Sequence, residues 1–109
     1  MRRLMVNELK NKLDREESLQ LIDIRDSSEF DGAKIEGSVN IPKNEVKERF
    51  QELDKSLPVV IICRFGTKSS GIARLLIDNG FDRNNVFILD GGIYEWAVEI
   101  DPEMPAHLL

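Results

Sequence analysis

Cysteine and histidine occur once each in this chain, as Cys63 and His107. A single thiol cannot close an internal disulfide, which points to a reducing compartment, the cytoplasm. One cysteine and one histidine also fall short of the usual metal-ligand sets, so no metal centre is expected, and nothing implies a cofactor. His107 stands near the carboxyl end and reads as a solvated tail residue. Positive charge is in deficit: 15 Lys and Arg face 20 Asp and Glu, for a net charge of −5. That balance argues against a nucleic-acid surface, which needs a basic stripe to displace counterions. No apolar run approaches the roughly 20 residues that cross a bilayer. After Met1-Arg2-Arg3, residues Asn7, Glu8 and Lys10 interrupt anything like the apolar part of a signal peptide. Repeats, low-complexity tracts and linkers are missing as well. What remains is 109 residues, 41% hydrophobic and 32% charged, a composition that fits one soluble domain over residues 1–109.

Hydrophobic patterning sets the fold class. Residues 57–62, Leu57-Pro58-Val59-Val60-Ile61-Ile62, are continuously apolar and read as a strand buried on both faces. Residues 19–24 and 86–89 are strand-like, and 39–42 form a brief strand closed by Pro42. Leu9 and Leu13 suggest a short first helix with Asn7 as its N-cap. Val46, Phe50 and Leu53 have helical spacing before the central strand. Ile72, Leu75 and Leu76 mark a helix after it that stops at Asn79-Gly80. Gly91-Gly92 break the last strand, and Ile93, Trp96, Ala97 and Ile100 lie on one face of a terminal helix. Strands alternating with helices imply a mostly parallel sheet covered on both faces, a three-layer α/β domain.

Cys63 follows the central strand directly, where open α/β sheets place their chemistry. The thiolate, not the thiol, is the nucleophile, and three features of the loop favour the charged sulfur. The next helix starts near Ser69 or Ser70, so its positive end faces the loop. Gly66 frees the backbone to turn successive N–H groups toward one anion. Arg64 and Lys68 add two positive charges. A lone strand-end cysteine is more often a small buried hydrophobe; the glycine, the cations and the helix start shift the balance toward a nucleophile. Gly66-Thr67-Lys68-Ser69 is not a phosphate-binding P-loop, because Thr67 separates the glycine from the lysine. A cysteine-dependent phosphatase would need arginine at position 69, where the chain has Ser69.

These residues resemble the rhodanese sulfurtransferase family over nearly the whole chain. Leu21-Ile22-Asp23-Ile24-Arg25 with Glu29-Phe30, then Ile35, Gly37, Asn40, Ile41 and Pro42, are similar to the family's first signature. Cys63 through Ser69 resembles its active-site loop, and Gly80-Phe81, Val86, Leu89, Gly91-Gly92 and Trp96 its closing segment. Departures are Ala33-Lys34 in place of glycine-histidine, Glu36 in place of proline, and Lys68 in place of arginine. The last keeps the charge without the bidentate fork.

The resemblance implies a five-stranded, mostly parallel sheet and an enzyme of the thiosulfate sulfurtransferase type. Cys63 would take sulfur from thiosulfate or a persulfide and pass it to cyanide, a thiol or a protein. Arg64, Phe65, Gly66, Thr67, Lys68, Ser69 and Arg25 would bind substrate, with Asp23 in support. For Asp23 and Arg25 a structural ion pair is the simpler reading, and Gly91-Gly92 and Trp96 read as helix-entry and core residues. Residues 33–38 and 99–105 also look similar to rhodanese domains fused behind sulfur-carrier adenylyltransferases. That likeness implies an alternative, a docking module relaying sulfur to a sulfur-carrier protein in molybdopterin or thiamine synthesis. A non-catalytic regulatory domain is a third reading, which the complete loop argues against.

Overall fold

The computed structural model describes residues 1–104; His107 lies outside the described residues. Five parallel strands form one sheet in the order β1-β5-β4-β2-β3, with β1 at Arg2–Leu4, β2 at Gln20–Asp23, β3 at Val39–Asn40, β4 at Val59–Ile62 and β5 at Val86–Leu89. Helices α1 (Val6–Asp14), α2 (Ser27–Gly32), α3 (Val46–Arg49), α4 (Ser69–Asp78) and α5 (Gly92–Glu99) connect or follow them. All four residues of β4 are fully buried, because helices cover both faces of the sheet and a strand there has no polar side to offer. Alternation along the strand divides the core. Val60 and Ile62 pack with Leu4, Leu9, Leu21, Leu89, Ile93 and Trp96 on the α1 and α5 side. Val59, Ile61 and Cys63 pack with Ile22, Ile41, Val46, Ile72, Leu76 and Ile88 on the α3 and α4 side.

Four of these strands coincide with the apolar runs of the sequence, and β1 does not. Two of its three residues are exposed arginines, so it carries no strand pattern; it exists because its backbone pairs with β5 from Arg2↔Phe87 to Leu4↔Leu89. The first helix starts at Val6 with Met5 as N-cap, not at Asn7. The Glu8 carboxylate accepts from the Met5 N–H at 2.8 Å, and the early start buries Val6 beside Leu9. The helix expected across Val46, Phe50 and Leu53 is one short turn of α-helix flanked by 3₁₀ turns at Lys43–Glu45 and Phe50–Glu52. The sequence pattern does not predict helix α2, since none of its residues is buried and no periodic apolar face announces it. Helix α4 does end at Asn79-Gly80: the Gly80 and Phe81 N–H groups donate to the Ile77 and Leu76 carbonyls at 3.2 and 3.1 Å. Gly80 has φ +98°, the left-handed conformation such a stop requires.

Strand β2 leads outward to β3, whereas β4 leads the other way to β5. Adjacent parallel strands whose connections diverge leave a crevice beyond their carboxyl ends. The residues after β2 and β4, including Arg25 and Cys63, therefore meet there.

Candidate active site

Cys63 is 3% exposed and sits at the base of a cleft of about 250 Å³. Its Sγ accepts the Gly66 N–H at 3.0 Å. One amide meets the sulfur where the loop composition suggested several. Gly66 has φ +83°, and a Cβ on it would stand 3.0 Å from the Gly91 nitrogen and 3.1 Å from the Leu89 carbonyl oxygen. Only glycine combines that dihedral with so close a packing.

The loop is held from behind by α5. The first N–H groups of a helix have no partner within the helix, and here two of the early ones find loop carbonyls. Ile93 N–H donates to the Cys63 carbonyl at 2.9 Å and Tyr94 N–H to the Arg64 carbonyl at 3.0 Å. The approach needs glycine at position 92, where φ is +64° and a Cβ would lie 2.4 Å from the Cys63 oxygen. The sequence shows Gly91-Gly92 only as a break before a helix; their work on the loop is visible once β4 and β5 lie side by side.

The opposite wall comes from the end of β2. Arg25 and Asp23 form a buried ion pair, with side chains 2% and 0% exposed. Arg25 Nε lies 3.1 and 3.2 Å from the two carboxylate oxygens, and Nη2 lies 2.9 Å from Oδ2. Nη2 also donates to the Ala33 carbonyl, and Asn40 Nδ2 donates to the Asp23 and Arg25 carbonyls at 2.9 and 3.0 Å. The structural pairing expected of Asp23 and Arg25 is present, and Arg25 also lines the cleft. Its Nη1 is buried with no partner among the described residues.

Arg64 and Lys68 reach the cleft; the other loop residues stand elsewhere. Phe65 is 52% exposed, with its ring 5.5 Å from that of the equally outlying Tyr94, and does not wall the cleft. Thr67 is exposed, while Ser69 is buried at the start of α4, its Oγ without a partner among the described residues. Gly66 contributes through its backbone. Four further residues, Ile24, Asp26, Glu29 and Lys43, complete the cleft, and the sequence pattern does not point to them as site residues. Glu29 lies on α2, which has no apolar pattern to mark it, and nothing local marks Lys43; pairing of β3 with β2 delivers Lys43, its N–H donating to the Ile24 carbonyl at 2.9 Å. Glu29 forms an ion pair with Arg64. Lys43 and Lys68 make no ion pair with a described residue, so they carry the free positive charge of the cleft. A second cleft of similar size, bordered by Leu19, Leu21, Val39 and Leu53, has no thiol or hydroxyl among its lining residues.

A family model described as "Rhodanese-like domain" matches residues 5–99. The thiosulfate sulfurtransferase GlpE of Shewanella oneidensis is 33% identical over 93 residues, covering 85% of this chain and 89% of that protein. The adenylyltransferase and sulfurtransferase MOCS3 of Drosophila ananassae is 33% identical over 112 residues, covering 96% of this chain but only 24% of the longer protein. Among solved structures, a rhodanese-like domain protein from Staphylococcus aureus superposes with a TM-score of 0.81 at 27% identity, covering 88% of this chain and 91% of that one. The expected three-layer α/β architecture with a five-stranded sheet is present, and the likeness to that structure agrees with it. With its family signature spanning both core layers and the Cys63 loop, the chain belongs to the rhodanese-like domain family.

Proposed function

We propose that this chain acts as a single sulfur-transfer domain in which Cys63 carries sulfane sulfur as a persulfide. The observation that supports this most is the Gly66 N–H placed 3.0 Å from Sγ at the base of a cleft bearing Lys43 and Lys68. A hydrogen bond from an amide stabilises charge on sulfur, and the lysines attract an anionic donor. In the first half-reaction the Cys63 thiolate attacks the outer sulfur of the donor. A new S–S bond forms, the donor's S–S bond breaks, and sulfite (from thiosulfate) or a thiolate (from a persulfide) leaves with the electron pair. In the second, a thiolate, cyanide or a protein acceptor attacks the terminal sulfur and releases the Cys63 thiolate. Lys43 joins Arg64, Lys68 and Arg25 as a binding residue, and Gly66 acts through its N–H; Phe65, Thr67 and Ser69 stand outside the cleft. A thiol that must stay reduced suits the cytoplasm.

Cys63→Ser tests this reading. It should abolish thiosulfate:cyanide turnover and the gain of one sulfur atom in intact-mass measurement, while the circular dichroism spectrum stays native. Turnover that survives the substitution rules the reading out. One observation favours the alternative of a relay module: Phe65 and Tyr94 leave an exposed aromatic pair beside the loop, a surface suited to a protein acceptor such as a sulfur carrier. Sulfur loading of Cys63 with negligible small-molecule turnover would select it.

A further inference from the structure

We infer that Glu29 sets the donor selectivity of this site, masking Arg64 so that the cleft disfavours dianionic donors relative to singly charged persulfides; this rests on the sulfur-transfer reading. Arg64 follows the nucleophile directly and is the natural cation to meet an incoming anion, but the Glu29 carboxylate holds it in an ion pair. Both residues border the cleft, and the Glu29 side chain is 24% exposed, so its charge is only partly screened. Asp26 adds a second acidic group to the same wall. Arg25 is likewise committed, to Asp23. The cleft thus contains four basic residues, of which two are engaged by carboxylates. Coulomb repulsion from Glu29 scales with donor charge, so thiosulfate, with two negative charges, loses more than an alkyl persulfide with at most one. Glu29 acts in part through Arg64 and is in that sense a positioning residue.

The measurement compares kcat/KM for thiosulfate with kcat/KM for a small alkyl persulfide bearing no other charge, at low ionic strength. In Glu29→Gln the thiosulfate-to-persulfide ratio should rise about fivefold or more, mainly through the thiosulfate KM, and the gain should shrink as salt is added. Adding Arg64→Gln to that variant should remove most of the gain, and Arg64→Gln alone should lower the ratio below wild type. A residue that only braces α2 would shift the melting temperature without moving the ratio. If Glu29→Gln does not fold, Glu29→Ala carries the same expectation, and the Arg64→Gln ratio stands independently. An unmoved or lowered ratio in a Glu29 variant whose Cys63 still loads sulfur overturns the Glu29 assignment alone. Failure of both donors to load wild-type Cys63 overturns it together with the sulfur-transfer reading.

Discussion

Asp23 and Arg25 illustrate how a residue pair earns its place by holding geometry. A guanidinium 2% exposed and a carboxylate fully buried are costly to desolvate, and the pair offsets that cost only while both partners are present. Removing one leaves an uncompensated buried charge. Asp23→Asn should therefore destabilise the protein by about 3 kcal/mol, read from the midpoint of denaturant unfolding. A loss below about 1 kcal/mol would mean that the Ala33 carbonyl, rather than Asp23, anchors Arg25. Arg25 stands two positions beyond Asp23, the last residue of β2, so the chain itself keeps the two side chains close. The Ala33 carbonyl and the Asn40 amide that complete the arrangement lie 8 and 17 positions from their partners, and no local pattern connects them.

Helix α5 is the element on which the cysteine loop rests. Its early N–H groups bind the Cys63 and Arg64 carbonyls, so the loop is shaped by the helix behind it as well as by α4 ahead. Gly92→Ala adds a methyl group 2.4 Å from the Cys63 oxygen at a φ of +64°. The expected result is a loss of about 2 kcal/mol or more in stability, with sulfur loading of Cys63 slowed by a larger factor than unfolding explains. Wild-type loading kinetics in that variant would show that the loop does not depend on the contact. Ile93, Trp96 and Ala97 marked the buried face of α5 correctly, because burial on a helix repeats every three to four residues. Its capping of another segment's carbonyls leaves no such repeat. Helix α2 shows the reverse case: with no buried residue it has no pattern, yet it brings Glu29 to the mouth of the site.

For the whole molecule, surface electrostatics predicts the direction of acid sensitivity. The Arg15 side chain holds the Glu17 carboxyl below its ordinary value of 4.5, with help from Lys12. Arg49 does the same for Glu52, and the Ser56 hydroxyl and N–H hold Asp54 below 3.8. A carboxyl whose value is lowered on folding contributes stability that is present above its unfolded value and disappears as pH falls through the folded one. The melting temperature should therefore fall as pH drops below about 4.5, and by a small amount, because these groups lie at the surface, where water and salt screen their charge. A melting temperature that climbs on acidification through that range would contradict the assignment. Among the described residues no helix is long and apolar enough to cross a membrane.

The sequence by itself determined the layered α/β plan, the central position of β4, the placement of Cys63 at a strand end and the cations beside it. Each is recorded locally, because burial on two faces makes a strand apolar throughout and a helix face repeats its hydrophobic residues. The tertiary structure alone decided that Arg2–Leu4 is a strand, that Glu29 takes up Arg64, that Lys43 joins the cleft, and that Gly91-Gly92 support the cysteine loop. Those outcomes depend on which strand lies beside which. The pairing of β2 with β4 brings the carboxyl ends of two strands distant in sequence to one crevice, and contacts made across that crevice leave no periodic trace in either segment.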